Sequence, residues 1–134
     1  MKLFFAALLL LISAPVFATG EHLQKDNLFP RVKLVTTEGD IVIELDRMKA
    51  ALTVNNFLTY VDKKMYDGTI FHRLEPNFVL QGGGYDREYI AIKSIKEIPN
   101  ESGNGLKNIQ FSVAMAHQEK GPHTGSNQFF INLN

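Results

Sequence analysis

The stretch FHRLEPNFVLQGG, residues 71–83, decides the fold that the sequence predicts. Pro76-Asn77 is a turn-forming pair between two short apolar runs, 69–74 and 78–81. Short runs rich in β-branched and aromatic residues are typical of β-strands. Asp67-Gly68 marks a second turn just before the first run. The stretch therefore predicts two adjacent strands joined by a tight turn.

Alternating and β-branched runs predict further strands on both sides of this stretch. Residues 31–37 and 41–45 flank the turn Glu38-Gly39-Asp40 and predict an antiparallel hairpin. Residues 111–116 and 128–133 predict the last two strands. The segment between the central stretch and these strands, residues 82–110, is rich in glycine, asparagine and charge, which predicts a long loop.

One helix is predicted between the hairpin and the central stretch. Four apolar residues recur at the three- and four-residue intervals of an amphipathic helix: Val54, Phe57, Leu58 and Val61. Thr53 is the predicted N-cap, and Lys63-Lys64 suits the negative end of the helix. With at least six strands and one helix, the predicted fold class is mainly β. An antiparallel barrel or curled sheet with the helix over one opening fits best.

The first eighteen residues predict a secretory signal peptide. Lys2 precedes the unbroken apolar run 3–12, and Val16-Phe17-Ala18 predicts cleavage after Ala18. An apolar run of ten residues is too short for a membrane span, which needs about twenty, and this disfavours a retained membrane anchor. We therefore expect a protein that is exported to the periplasm and free of the membrane after cleavage.

Composition limits what holds the domain together and what it binds. The 134 residues suffice for one domain, assigned to residues 30–134 after a polar linker at residues 19–29. Without cysteine, an exported chain must be stabilised by its core and not by disulfides. Fourteen basic and fourteen acidic residues balance, so nucleic acid is not an expected partner. The four histidines lack the short spacing typical of a metal site, so no metal is expected.

Arg73 and nearby apolar side chains would suit the rotation of a prolyl peptide bond, the reaction that the family resemblance described next implies. Rotation faces a barrier of about 18–20 kcal/mol because the planar amide loses its resonance. The twisted nitrogen regains a lone pair, and Arg73 can donate to it from a guanidinium that stays charged and rigid. The proline ring itself needs a small apolar pocket, which three side chains can line: Phe78, Val79 and Phe130.

Three blocks of the sequence resemble the signature of the cyclophilin family. They are residues 71–83, Ala114-Met115-Ala116 and Gln128-Phe129-Phe130-Ile131-Asn132, in the order of the family and at suitable spacing. The resemblance covers residues 31–134 and includes Asn104-Gly105-Leu106. It implies a cyclophilin-like antiparallel β-barrel with a covering helix. It also implies a peptidyl-prolyl cis/trans isomerase that needs no cofactor and assists the folding of exported proteins.

The resemblance implies three catalytic residues. Arg73 would be the principal catalytic residue, Gln81 would orient the backbone of the substrate, and His72 would support Arg73. The partners would be proline-containing segments of unfolded or partly folded exported proteins, bound by a monomer.

Five further residues would bind the substrate. Phe78, Val79 and Phe130 would line the proline pocket. Ala116 and His117 would form the edge of the groove, where their backbone groups pair with an extended peptide.

The sequence departs from the family pattern in two places. Val79 stands where many relatives carry methionine, which predicts a slightly looser pocket. Members of the family continue beyond the Phe-Phe-Ile strand, whereas this chain ends at Asn134 and contains no tryptophan. From this departure we expect an incomplete barrel with open strand edges.

Two other interpretations stay open on the sequence alone. One is a peptide-binding or chaperone module, whose groove holds extended segments with little or no isomerase activity. The other is a fragment that does not fold. An assay of proline-peptide isomerisation distinguishes the first from an enzyme, and near-ultraviolet circular dichroism tests the second, because an unfolded chain lacks fixed packing around its aromatic residues.

Overall fold

The structure, a computed structural model, describes Gly20 and residues 22–134. The predicted signal segment, residues 1–18, lies outside the described residues. Within them, six strands and one helix follow in this order: β1 (Arg31–Thr36), β2 (Gly39–Glu44), α1 (Ala51–Asp62), β3 (Thr69–Glu75), β4 (Val79–Asp86), β5 (Val113–Met115) and β6 (Phe129–Asn132). This order confirms the mainly β class. Among these residues no helix has the length and apolar character that a membrane crossing requires.

The strands form two antiparallel sheets. β1 and β2 pair as a hairpin with Val32 opposite Ile43, and the larger sheet has the strand order β3-β4-β6-β5. Across the described residues the two sheets do not join, so β3 and β5 are the edges of the larger sheet. The expected antiparallel strands and helix are therefore present, and among these residues the strands do not close into a barrel, as expected.

The core lies between the hairpin, the helix and one face of the larger sheet. Its buried side chains are Val32, Ile43, Val54, Phe57, Leu58 and Phe129. The rings of Phe57 and Phe129 meet edge to face at 5.4 Å, and Tyr66 lies 5.1 Å from Phe57. Such aromatic pairs contribute about 0.5–1.5 kcal/mol each beyond the area they bury. The apolar stripe of α1 that the sequence predicts is thus the side that packs on the sheets.

β4 is longer than the sequence predicts because the glycine triplet belongs to the strand. The prediction of a loop is wrong for residues 82–86, which continue β4. Gly83 has a φ of 81°, and a methyl group there would lie 2.9 Å from the backbone oxygen of Asn127, so a larger residue would be strained. The last two strands are in turn shorter than the predicted ranges, 111–116 and 128–133.

A distant carboxylate caps the N-terminus of α1. The prediction of Thr53 as N-cap is wrong, because α1 begins at Ala51 and Ala50 stands at the cap position without a side-chain hydrogen bond. Instead, Glu101 accepts hydrogen bonds from the backbone N–H groups of Leu52 at 3.1 Å and Thr53 at 2.7 Å. The negative charge of Glu101 at this position also interacts favourably with the positive end of the helix dipole.

Residues 22–29, which belong to the predicted linker, make hydrogen bonds to the domain. Arg47 donates from Nη1 to the carbonyl oxygens of Gln24 and Asn27, at 2.7 and 2.9 Å. Its Nη2 donates to the carbonyl oxygen of Leu23 at 2.9 Å. The side chain of Leu23 packs against the core. Ordered contacts therefore begin ahead of β1, earlier than the polar composition of this segment predicts.

Replacement of Glu101 by alanine should lower the free energy of unfolding by about 1 kcal/mol, the typical effect of losing a helix cap. Denaturant unfolding monitored by circular dichroism measures the change. The matched control is Glu119→Ala, because Glu119 is exposed and makes no ion pair or hydrogen bond within residues 22–134. Equal stability of the two variants would contradict the assigned cap.

Candidate active site

A β-bulge in β3 turns Arg73 away from the core. Phe71 lies opposite Gly82 of β4 and Arg73 lies opposite Gln81, so His72 is an extra residue without a partner in the register. In a regular strand, residues two apart point to the same face, but an extra residue reverses this relation. Phe71 therefore packs against the core while Arg73 points to the other face of the sheet.

Arg73 begins a row of side chains that crosses all four strands of the larger sheet. Gln81 lies opposite Arg73, Phe130 lies opposite Gln81, and Ala114 lies opposite Phe130. Directly paired residues of antiparallel strands point to the same face, with Cβ atoms about 5 Å apart. We call these four residues the outer row. It brings a guanidinium, a side-chain amide and an aromatic ring together on one surface.

Two hydrogen bonds orient the polar end of the outer row. Arg73 donates from Nη1 to Oε1 of Gln81 at 3.3 Å, and Gln81 donates from Nε2 to Oε1 of Gln128 at 2.8 Å. Because both ends of the Gln81 amide are used, its orientation is set. Nε of Arg73 lies 3.6 Å from a carboxylate oxygen of Glu75, but both side chains are about half exposed, so this ion pair is weak. Within the described part of the chain, Nη2 of Arg73 has no partner and is available to a ligand.

The three residues predicted to line a proline pocket differ in exposure. Phe78 lies just before β4 and is 53% exposed. Phe130 is half-buried in the outer row. Val79 lies on the same sheet face as Gln81 but is only 4% exposed. It can therefore contact a bound ring from below, and little of its side chain is available at the side of a pocket. The structure therefore offers Phe78 and Phe130 to a ligand to a greater extent than Val79.

Ala116 and His117 follow β5 at the edge of the sheet. The N–H of Ala116 donates to the carbonyl oxygen of Gln128 at 2.9 Å, while its carbonyl has no hydrogen-bond partner among residues 22–134 and remains for an extended peptide. Ala116 can therefore make one backbone hydrogen bond with a substrate. His117 is exposed and thus accessible to a ligand. A hollow of about 50 Å³ lies beside them, lined by Ala116, His117, Gln118, Thr124, Ser126, Asn127 and Gln128.

His72 lies beside the site without joining its hydrogen bonds. Its ring meets Tyr85 edge-on at 4.7 Å, and Nδ1 is a buried nitrogen without a hydrogen-bond partner among the described residues. Burial, and secondarily the charge of Arg73, lower the pKa of His72 below its ordinary value of 6.5. The structure therefore does not bring His72 into the hydrogen-bonded group of Arg73, Gln81 and Gln128. If His72 were protonated, its positive charge would repel that of Arg73.

A large cavity lies between the two sheets of the described residues. It has a volume of about 1010 Å³, is open to solvent on one side, and is bordered by the hairpin, the helix, the loop around Glu101 and the last two strands. Of the outer row, Phe130 and Ala114 border it, whereas Arg73 and Gln81 do not. We therefore assign the candidate chemistry to the outer row, where the hydrogen-bonding groups are. Among the residues that the structure describes, no three His, Asp or Glu side chains cluster as metal ligands would.

Gln128 is a site residue to which the sequence analysis assigned no role. It immediately precedes β6, and it reaches Gln81 only because β6 pairs with β4. The available signal was its place two residues before Phe130, in a block already set apart from the rest of the sequence. That signal indicates the face shared with Phe130 but not the contact with Gln81, which depends on the pairing of β6 with β4.

Comparison with known proteins adds a family match. Residues 31–134 match the family described as cyclophilin type peptidyl-prolyl cis-trans isomerase/CLD. The chain is 46% identical over 102 residues to the peptidyl-prolyl cis-trans isomerase cyp18 of Streptomyces antibioticus, covering 76% of this chain and 61% of the relative. It is 44% identical over 98 residues to the peptidyl-prolyl cis-trans isomerase B of Escherichia coli (strain K12), covering 73% and 59%. The chain thus spans about three fifths of the length of these curated relatives.

A solved structure shows the same fold. The cyclophilin type peptidyl-prolyl cis-trans isomerase of Cryptosporidium parvum, crystallised in the presence of the dipeptide Ala-Pro, superposes with a TM-score of 0.65. The two chains are 27% identical in sequence, and the match covers 78% of this chain and 68% of the other. The arrangement of the two sheets and the helix is therefore that of an experimentally known fold.

The burial of His72 should make stability depend on pH. Because its pKa is lower in the folded state, the unfolded chain binds the proton more readily. The contribution of neutral His72 to the free energy of unfolding is complete above about pH 6.5. It is lost as the pH falls through the lower pKa that His72 has in the folded state. The free energy of unfolding should therefore decrease between about pH 7 and pH 5 more steeply in wild type than in His72→Gln. His117→Gln, at an exposed histidine, is the control, and equal slopes for wild type and His72→Gln would show that the burial is misassigned.

Proposed function

The chain belongs to the cyclophilin-type peptidyl-prolyl cis-trans isomerase family, and on this premise we propose that it catalyses cis–trans isomerisation of prolyl peptide bonds. The observation that carries the proposal is the outer row. There a half-exposed guanidinium, held by Gln81, stands in the same row as the ring of Phe130. A cation beside an apolar surface is the combination that a twisted prolyl amide requires.

The chemistry follows from the difference between the planar and the twisted amide. In the planar state the nitrogen lone pair is delocalised and accepts no hydrogen bond, while at the twisted state it is localised on a pyramidal nitrogen. A donor fixed at Arg73 therefore stabilises the transition state more than the ground state, which is the condition for catalysis. Proline isomerisation makes and breaks no covalent bond and transfers no group, so the reaction requires no cofactor.

The substrate that fits is an extended segment with proline at the outer row. The proline ring would lie against Phe78 and Phe130, with Val79 below it. The free carbonyl of Ala116 would accept one hydrogen bond from the peptide backbone, and Gln81 would hold Arg73 toward the prolyl nitrogen. Segments of this kind occur in unfolded or partly folded proteins, which we propose as the partners of a monomeric enzyme.

We also propose that the protein acts in the periplasm after export. Support comes from the charged start, short apolar core and small-residue end of residues 1–18. Because the chain has no cysteine, its folding does not depend on whether the compartment is oxidising. The clients would then be other exported chains.

Arg73→Ala should lower kcat/KM by on the order of 100-fold, because it removes one transition-state donor worth about 3 kcal/mol. Nuclear magnetic resonance exchange spectroscopy on a short Ala-Pro peptide measures the isomerisation rate directly. Arg87→Ala is the matched control, because Arg87 is exposed and lies outside the outer row. Wild-type rates in Arg73→Ala would overturn the assigned role.

Titration of the protein with the same Ala-Pro peptide, followed by nuclear magnetic resonance, distinguishes an enzyme from a binding module. Chemical-shift changes at Gln81 and Phe130 report binding of the peptide, and exchange cross-peaks report its isomerisation. An enzyme shows both signals. Binding without faster exchange would replace the proposal by a peptide-binding or chaperone function.

Expression of the full sequence in a bacterial host should yield a periplasmic protein that begins at Thr19. Mass spectrometry of the periplasmic fraction gives the mature N-terminus. An uncleaved chain that stays with the cytoplasmic fraction would contradict the proposed export.

A further inference from the structure

We infer that Gly84 is a positioning residue for the active site, because the missing side chain at this position is the space that the amide of Gln128 occupies. The inference rests on the proposed function, since it concerns the same outer row. A methyl group at Gly84 would lie 2.5 Å from Cδ and 2.6 Å from Cγ and Nε2 of Gln128. Carbon atoms in contact are separated by about 3.5–4.0 Å, so the two groups cannot coexist.

The space above Gly84 is coupled to Arg73 through two hydrogen bonds. Oε1 of Gln128 accepts from Nε2 of Gln81 at 2.8 Å, and Oε1 of Gln81 accepts from Nη1 of Arg73 at 3.3 Å. If Gln128 is displaced, Gln81 loses the acceptor that fixes its amide and becomes free to rotate. The guanidinium then loses a fixed neighbour, so its donors point at the prolyl nitrogen for a smaller fraction of the time.

Gly84 differs in this respect from the two glycines before it. At Gly83 the backbone φ is 81° and an added methyl group would strike the backbone oxygen of Asn127, so that glycine is needed for the fold. At Gly82 the methyl group would lie 2.8 Å from the ring of Phe71 in the core. Gly84 has no positive φ, and the three nearest atoms all belong to one side chain that can move. A small side chain at Gly84 is therefore compatible with folding and incompatible with the position of Gln128.

A double-mutant cycle tests whether Gly84 acts through Gln128. Gly84→Ala and Gln128→Ala should each lower kcat/KM for an Ala-Pro peptide by roughly 3- to 10-fold, the effect of losing one orienting hydrogen bond. In the Gln128→Ala background there is no side chain to displace, so adding Gly84→Ala should change kcat/KM no further. Effects that multiply in the double variant would overturn the inference.

Stability separates positioning from a structural role. The thermal unfolding temperature of Gly84→Ala should be close to that of wild type, whereas that of Gly83→Ala should be clearly lower. A loss of stability in Gly84→Ala as large as that in Gly83→Ala would show that the glycine serves the fold, and would overturn the inference.

A spectroscopic measurement separates this inference from the proposed function. The side-chain amide resonances of Gln81 should shift in Gly84→Ala and in Gln128→Ala to similar positions, because both variants remove the same acceptor. This readout does not depend on turnover. If wild type shows no isomerase activity, the proposed function fails while the amide shifts still decide the inference, and unshifted Gln81 resonances in Gly84→Ala would reject it.

Discussion

One extra residue in β3 determines what the larger sheet presents on each of its faces. Without the bulge at His72, Phe71 and Arg73 would point to the same side, and either the ring would leave the core or the guanidinium would enter it. A buried, unpaired guanidinium would cost several kcal/mol. The bulge permits both requirements at once, because it places the ring of Phe71 in the core and the charge of Arg73 on the outer row.

The surroundings of the bulge explain why the outer row is ordered. The paired strands fix the backbone positions of Arg73, Gln81 and Phe130, and the two hydrogen bonds through Gln81 fix the side-chain amides. Glycines on β4 let neighbouring side chains approach the strand closely, on the core side at Gly82 and on the Gln128 side at Gly84. Packing and polar orientation are therefore established by the same short segment of the chain.

The sequence predicted the elements well because their signals are local. The turn at Pro76-Asn77, the hairpin around Gly39 and the apolar stripe of α1 each depend on residues close together in the chain, and the structure contains all three. Family blocks, which are also local, identified the segment that contains Arg73 and Gln81.

The features that were missed depend on pairs far apart in sequence. Glu101 caps a helix 48 residues away, and Gln128 meets Gln81 across 47 residues. The glycine triplet was interpreted as a loop because its extended path is stabilised by strands that pair with it only in the folded chain. Which face Arg73 occupies was equally undetermined, since alternation alone places it with Phe71 and only the register of β3 against β4 shows the bulge.

The central claim is that the bulge places Arg73 and Phe130 on the same side of the sheet, where a proline can lie between them. Intermolecular nuclear Overhauser effects from a bound Ala-Pro peptide test this directly. We expect contacts from the proline ring protons to the ring of Phe130 and to the δ-methylene of Arg73. Contacts to the core-facing rings of Phe71 and Phe129, with none to Arg73, would contradict the claim.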